Sequence, residues 1–346
     1  MENKIVFVIG AGASKEAGLP TGLELKAKIS NFLDIRFDYR DQKSGDYVIT
    51  QALRRIVKAD NPPRIDINGF LHHAWHIRDA LPLAISIDNF IDSQRGNNEI
   101  QVLGKLSIVR SILDAERSSK LYFEKDGRNP TFNLSGLGKT WYLPFFQLIT
   151  ENCELADLEK RLQSIVLVIF NYDRCVEHFL INALKIYYKI SDVEASRIIG
   201  SIHIYHPYGS VGNLHCSDGQ HSIEFGLEPN AEQLISLSQR IKTFTEGTDP
   251  DSSEIVEIRN HFLNASKVIF MGFAFHKLNM RLITPSDIQP RPAGFQCFGS
   301  AFGISASDRE TIRLQINELY AVDVDTNLAE VSCFGLFTEY WRSLAF

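Results

Sequence analysis

The sequence predicts an α/β fold: a Rossmann-like parallel sheet with helices on both faces and a large helical insertion. Three observations carry this. Short, nearly continuous apolar runs recur at residues 4–9, 164–170, 199–206, 267–273 and 294–299. Stretches with helical periodicity separate them, and strands of that kind belong to parallel sheets covered on both faces. The interval between the first two runs is far too long for one crossover and reads mostly helical.

The elements follow in order. Residues 4–9 (KIVFVI) are rich in β-branched and aromatic side chains and stop at Gly10-Ala11-Gly12, after which helix formers begin. Residues 26–155 are expected to form the helical insertion, with loops at Pro62-Pro63 and Asp126-Gly127-Arg128-Asn129-Pro130. Residues 1–25 together with 156–346 then make up the sheet domain. The run at 164–170 (SIVLVIF) leads into Asn171-Tyr172-Asp173 and a helical pattern through Lys189. The run at 294–299 leads into a helix over 305–319. Its opening, Ser305-Ala306-Ser307-Asp308, holds several residues able to cap it.

Composition bounds the function. The chain has 346 residues, 44% hydrophobic and 23% charged, which excludes disorder and low-complexity scaffolds. A net charge of −6 supplies no global positive field, so no direct binding of nucleic acid is expected. Cys153, Cys175, Cys216, Cys297 and Cys333 contain no C-x-x-C pair, which argues against a zinc ribbon and for free thiols in a reducing compartment. No apolar stretch approaches the ~20 residues of a membrane span. The opening MENKIVFVIGAG reads as strand and turn rather than as a secretory signal, so a cytoplasmic location is expected.

Four strand ends carry candidate chemistry. The first is Gly10-Ala11-Gly12-Ala13-Ser14, followed by Ala17-Gly18-Leu19-Pro20-Thr21-Gly22. A glycine turn between a buried strand and a helix exposes backbone N–H groups and admits a pyrophosphate. Lys15 stands where a G-x-G-x-x-G fingerprint has its last glycine, and a G-K-[ST] ending is missing. The turn therefore reads either as a nucleotide loop or as a ligand-free βα turn. Second, Asn171 and Asp173 are suited either to bind ribose hydroxyls and orient a water or to cap the next helix. Third, His206-Pro207-Tyr208-Gly209-Ser210 opens a loop, and a histidine there titrates near neutral pH and suits a general base. His215 and His221, farther along, read as turn histidines. Fourth, Gly272 permits close approach by a ligand, while Phe273 and its neighbouring phenylalanines read most simply as core.

In these motifs the sequence resembles the sirtuin family. Gly10-Ala11-Gly12-Ala13-Ser14 with Gly18-Leu19-Pro20 is similar to that family's first NAD-binding motif. Asn171-Tyr172-Asp173 resembles its Asn-x-Asp motif, and Tyr208-Gly209-Ser210 lies where the family has His-Gly-Ser. Gly272-Phe273 resembles the later glycine segment near the adenosine ribose. Residues 86–92 (SIDNFID) and 297–305 (CFGSAFGIS) resemble segments of sirtuin-like proteins in bacterial anti-phage systems.

The resemblance implies a site. Gly10, Ala11, Gly12, Ser14, Gly18, Pro20, Thr21, Gly209, Ser210, Gly272 and Phe273 would bind NAD. Asn171 would hold the ribose and orient water, and Asp173 would order the nicotinamide side. Deacylases of the family carry a zinc module with two C-x-x-C pairs, and Asp-Phe-Arg after the motif proline. This chain has neither, with Thr21-Gly22-Leu23 in the second position. No zinc or other metal is expected. The departures imply the defence-type branch: an NAD+ hydrolase releasing nicotinamide and ADP-ribose in abortive infection, gated by homo-oligomerisation or a HerA-like ATPase partner. Tyr208 occupies the position of the expected catalytic histidine. In extended chain residues 206 and 208 point to the same side, so His206 is the expected base and Tyr208 the motif-aligned alternative. A deacylase or ADP-ribosyltransferase, or a non-catalytic NAD or ADP-ribose sensor, are the other readings.

Overall fold

The structure is a computed structural model that describes residues 4–60, 66–124, 132–214, 222–243, 246, 252–285, 295–320 and 324–345. Its centre is a six-stranded sheet, all parallel, formed by β1 (Lys4–Ile9), β4 (Ile165–Ile169), β5 (His203–Tyr205), β6 (Ala265–Met271), β7 (Gln296–Ser300) and β8 (Asp325–Ala329). The spatial order is β5-β4-β1-β6-β7-β8. This is the doubly wound order, in which the chain leaves β1 toward one edge and then crosses back to the other. The α/β, Rossmann-like class predicted from the sequence is the class observed.

The apolar runs explain the centre. In β1 the side chains alternate between two cores. Val6 and Val8 join Val166, Val168 and Val268 on one face, and Ile5, Phe7 and Ile9 join Ile165, Leu167 and Ile269 on the other. Every residue of β4 is buried. Burying one such side chain is worth roughly 1.5–3 kcal/mol, so both faces need helical cover.

The first face is covered by α2 (Gly22–Leu33), α3 (Tyr47–Ala59), α4 (Asn68–Ala80), α5 (Ile87–Ser93), α6 (Asn98–Ser118) and α11 (Ala231–Ser238). Leu25, Leu53, Phe70, Ile91 and Val109 of these helices share one continuous core with the sheet. The second face is covered by α7 (Tyr142–Thr150), α8 (Leu155–Leu162), α9 (Cys175–Tyr188), α10 (Asp192–Ile199) and the helix Cys333–Leu344. Residues 26–155 therefore contribute helices to both faces. They also hold an antiparallel hairpin, β2 (Arg36–Asp38) with β3 (Asp41–Ser44), whose polar sequence gives no strand signal.

Several boundaries differ from the expectation. Residues 199–202 finish α10 and turn, with Ile202 N–H donating to the Ile199 carbonyl, so β5 keeps only three residues. Gly272, at φ +54°, ends β6 two residues before the expected boundary. The last strand, β8 (DTNLA), is a polar edge strand that an apolar-run criterion passes over. The helix over Ala306–Tyr320 matches its prediction, with Asp308 N–H donating to Ser305 Oγ at 3.1 Å. The expected loops at Pro62-Pro63 and 126–130, and Gly294, Cys216, His215 and His221, lie outside the described residues.

Candidate active site

The carboxyl ends of β1, β4, β5 and β6 meet at the point where strand order reverses. Gly10 N–H donates to the Met271 carbonyl at 2.9 Å and Gly12 N–H to the Gly272 carbonyl at 3.0 Å. These contacts clamp the turn after β1, which enters the short helix α1 (Ala11–Lys15), against the turn after β6. A Cβ on Gly272 would sit 2.0 Å from Ala13 N, and one on Gly10 2.5 Å from the Gly272 carbonyl oxygen. The glycines are thus required by backbone against backbone. Ala11 keeps its N–H without a partner among the described residues.

A half-buried carboxylate follows this turn. Glu16 accepts from Trp141 N–H at 2.8 Å and Phe334 N–H at 2.9 Å, at the starts of α7 and of the helix Cys333–Leu344. Burial pushes its carboxyl above the usual range, against those hydrogen bonds. Gly18 lies in a left-handed turn (φ +98°), and Pro20 leads to Thr21. Thr21 is committed to a capping box with Glu24, its N–H donating at 2.9 Å. Neither sequence position 16 nor 24 looks special; only their distant partners give them a role.

Asn171 does not cap the next helix. Its amide Nδ2 donates to Ser14 Oγ at 3.0 Å, joining the end of β4 to the glycine turn. Both residues are buried. Asp173 does serve the helix, accepting from Cys175 N–H at 3.1 Å, and it faces Ser14 and Tyr142 as well. Burial pushes its carboxyl above the usual range. Between them Tyr172 turns to the other face and donates its phenol hydrogen to Asp88 of α5. The segment 86–92 is in this way tied to the Asn-x-Asp loop.

His206 and Tyr208 do not share a side. Gly209 N–H donates to the His206 carbonyl at 2.8 Å, closing a turn through Pro207 in which the two-residue alternation of a strand no longer holds. His206 faces α9: Nδ1 lies 3.1 Å from the Asn171 carbonyl and Nε2 lies 2.8 Å from Glu177 Oε1. Tyr208 packs edge-on to Phe170 in the opposite core and donates its phenol hydrogen to Asn279 Oδ1 at 2.6 Å. Burial raises that phenol far above its ordinary range. Phe273 is buried among Phe170, Phe270 and Phe275. Gly209, at φ +76°, passes so close to the Arg240 carbonyl that a Cβ would fall 2.0 Å from it. Ser210 lines a cavity of about 460 Å³ with Glu177, His206, Asn213 and Leu214.

Two further features escape the sequence reading. Glu177 sits in the first turn of α9, where an acid normally signals only favourable helix electrostatics. Its Oε1 meets His206, and its buried Oε2 has no hydrogen-bond partner among the described residues. Arg174 and Glu116 form an ion pair buried at 1% and 0% exposure. Arg174 Nη2 donates to Glu116 Oε2 at 2.6 Å and Nε to Oε1 at 3.1 Å, while Nη1 reaches the Ile223 carbonyl and Nη2 also the Glu224 carbonyl. Gly226 N–H also donates to Glu116. The pair fixes the loop after Asp173 to α6 and to residues 223–226. Among the described residues, no group of His, Cys, Asp and Glu is arranged to hold a metal ion, and Cys153, Cys175, Cys297 and Cys333 are free thiols.

The fold and the position of this crevice define a doubly wound α/β protein with a polar site at its switch point. No family model matches the chain, and no curated protein matches it.

Proposed function

We propose that this chain is an NAD+ hydrolase that releases nicotinamide and ADP-ribose. The observation that carries the reading is the Asn171–Ser14 hydrogen bond, which brings the Asn-x-Asp loop and the glycine turn into one crevice at the switch point. Such crevices are where doubly wound sheets bind nucleotides. In this reading the Ala11 N–H and the Ser14 hydroxyl hold the diphosphate. Asn171 turns from Ser14 to the ribose and the attacking water, and Asp173 orders the turn beneath them. Loss of nicotinamide passes through an oxocarbenium-like transition state, as in glycoside cleavage, so positioning matters more than a strong base. Drawing on the sirtuin resemblance, we further propose that the hydrolase serves anti-phage defence in the cytoplasm, gated by homo-oligomerisation or a HerA-like ATPase.

The test is incubation with NAD+ and chromatography for nicotinamide and ADP-ribose, with and without the candidate ATPase. Asn171→Ala is expected to cut turnover at least 100-fold while the circular dichroism spectrum stays native. Normal turnover by folded Asn171→Ala would sink the assignment, and ADP-ribose appearing only on an acceptor protein or acyl peptide would move it to a transferase or deacylase. One observation favours a second reading, a non-catalytic NAD sensor. Both candidate bases are engaged, His206 at both ring nitrogens and Tyr208 with Asn279. NAD+ that is bound but never consumed, with or without partner, would establish that reading.

A further inference from the structure

We propose that Glu177 and His206 act as a positioning pair that fixes the backbone of Asn171, rather than His206 acting as the general base. The kinetic part of this inference rests on the hydrolase reading; the structural part does not.

The hydrogen-bond chemistry fixes the roles. A backbone carbonyl only accepts, so the contact from His206 Nδ1 to the Asn171 oxygen places a hydrogen on Nδ1. A carboxylate also only accepts, so the contact from Nε2 to Glu177 places a second hydrogen there. The ring with both hydrogens is the imidazolium, and it has no lone pair to take a proton from water. The groups around it agree. Glu177 on α9 and Asp173 on the loop after β4 are both acidic, and together they raise the His206 pKa above its ordinary value despite burial. Arg174 lines the same cavity, but its guanidinium is committed to Glu116 and two carbonyls. α10 contributes Ser196 and Ile199 to that cavity and the turn after it Gly200, none of them charged.

The consequence is mechanical. The Asn171 side chain bridges the end of β4 to the glycine turn, and its own carbonyl is held by His206. Glu177 keeps the ring oriented across the turn closed by Gly209. A lost anchor lets Asn171 shift, and a misplacement of about 1 Å can cost on the order of 100-fold in rate.

The variants separate positioning from proton transfer. The amide nitrogen of asparagine superposes on histidine Nδ1, so His206→Asn keeps the donor to Asn171 and removes any base. For a positioning residue, His206→Asn keeps kcat within about tenfold at unchanged KM, while His206→Ala loses about 100-fold in kcat. For a base, both variants lose the roughly 10²–10⁴ of general-base catalysis, and that result overturns the proposal. A readout free of NAD chemistry comes from 15N-histidine NMR of the intact wild-type chain, with the His206 resonance assigned by its absence in His206→Asn. Both ring nitrogens are expected to stay protonated to a pH above the ordinary histidine range, and Glu177→Gln is expected to shift the titration downward. A wild-type His206 that titrates near 6.5 overturns the pair whatever the enzyme does. If wild type consumes no NAD+ while His206 stays protonated, the hydrolase reading fails and the pair stands.

Discussion

Arg174 and Glu116 are the most consequential pair that no motif announces. Removing two charges from water costs several kcal/mol each, and here four further hydrogen bonds complete the arrangement. Breaking one side leaves a buried charge alone. Glu116→Ala is expected to lose about 3–5 kcal/mol of unfolding free energy in urea titration, and a joint Glu116→Leu, Arg174→Met variant to recover most of it. Recovery that fails would assign the loss to the loop contacts instead. His206 sets a pH dependence at the same scale. Its pKa is raised in the folded state, so its contribution is fully present below about 6.5 and is lost as pH rises through the folded value. Wild type is therefore expected to lose melting temperature from neutral to alkaline pH by more than Glu177→Gln does. Equal slopes in the two proteins would remove the ion pair from the account. Asn171, Asp173, Ser14 and His206 were all legible as polar residues at strand ends. Their directions were not, because a side chain's partner across 157 residues, as in Asn171 to Ser14, leaves no trace in local spacing.

At the scale of elements, the apolar runs located β1 and β4 almost to the residue, because a strand buried on both faces leaves little polar signal to confuse the pattern, while β6, which opens on the partly exposed Ser266 and Lys267, lies two residues earlier than its run. The edges escaped the same logic. β8 lies at one edge, half-covered, and its composition is that of a loop. β5 lies at the other edge and keeps only three residues of an eight-residue run. The interlocked turns after β1 and β6 give a prediction at this scale. Gly272→Ala places a methyl group 2.0 Å from Ala13 N at a residue with φ +54°. The backbone conformation alone costs about 1–3 kcal/mol, and the clash adds to it. A clear fall in thermal midpoint is expected, whereas Gly22→Ala, with nothing within 4 Å of the added carbon, is expected to change it little. An unchanged midpoint for Gly272→Ala would mean the two turns part easily.

Across the whole molecule, the order β5-β4-β1-β6-β7-β8 gathers residues 10–14, 171–173, 206–210 and 272–273 at one end of the sheet. The helices of residues 26–155 take part, since α5 reaches the Asn-x-Asp loop through Asp88 and α7 reaches the glycine turn through Trp141, whose indole N–H donates to the Ala13 carbonyl at 3.0 Å. The sequence by itself determined the class of fold, the strands of the centre and the segments that end at the crevice. These depend on local composition and on a burial pattern that repeats every residue or two. Only the tertiary structure decided which polar groups pair. It turned Tyr208 into one core and His206 against Glu177, committed Thr21 to a helix cap, and buried Glu116 beneath Arg174. The physical reason is that hydrogen bonds and ion pairs act over about 3 Å in space. They are indifferent to the distance along the chain, which is all that a sequence records.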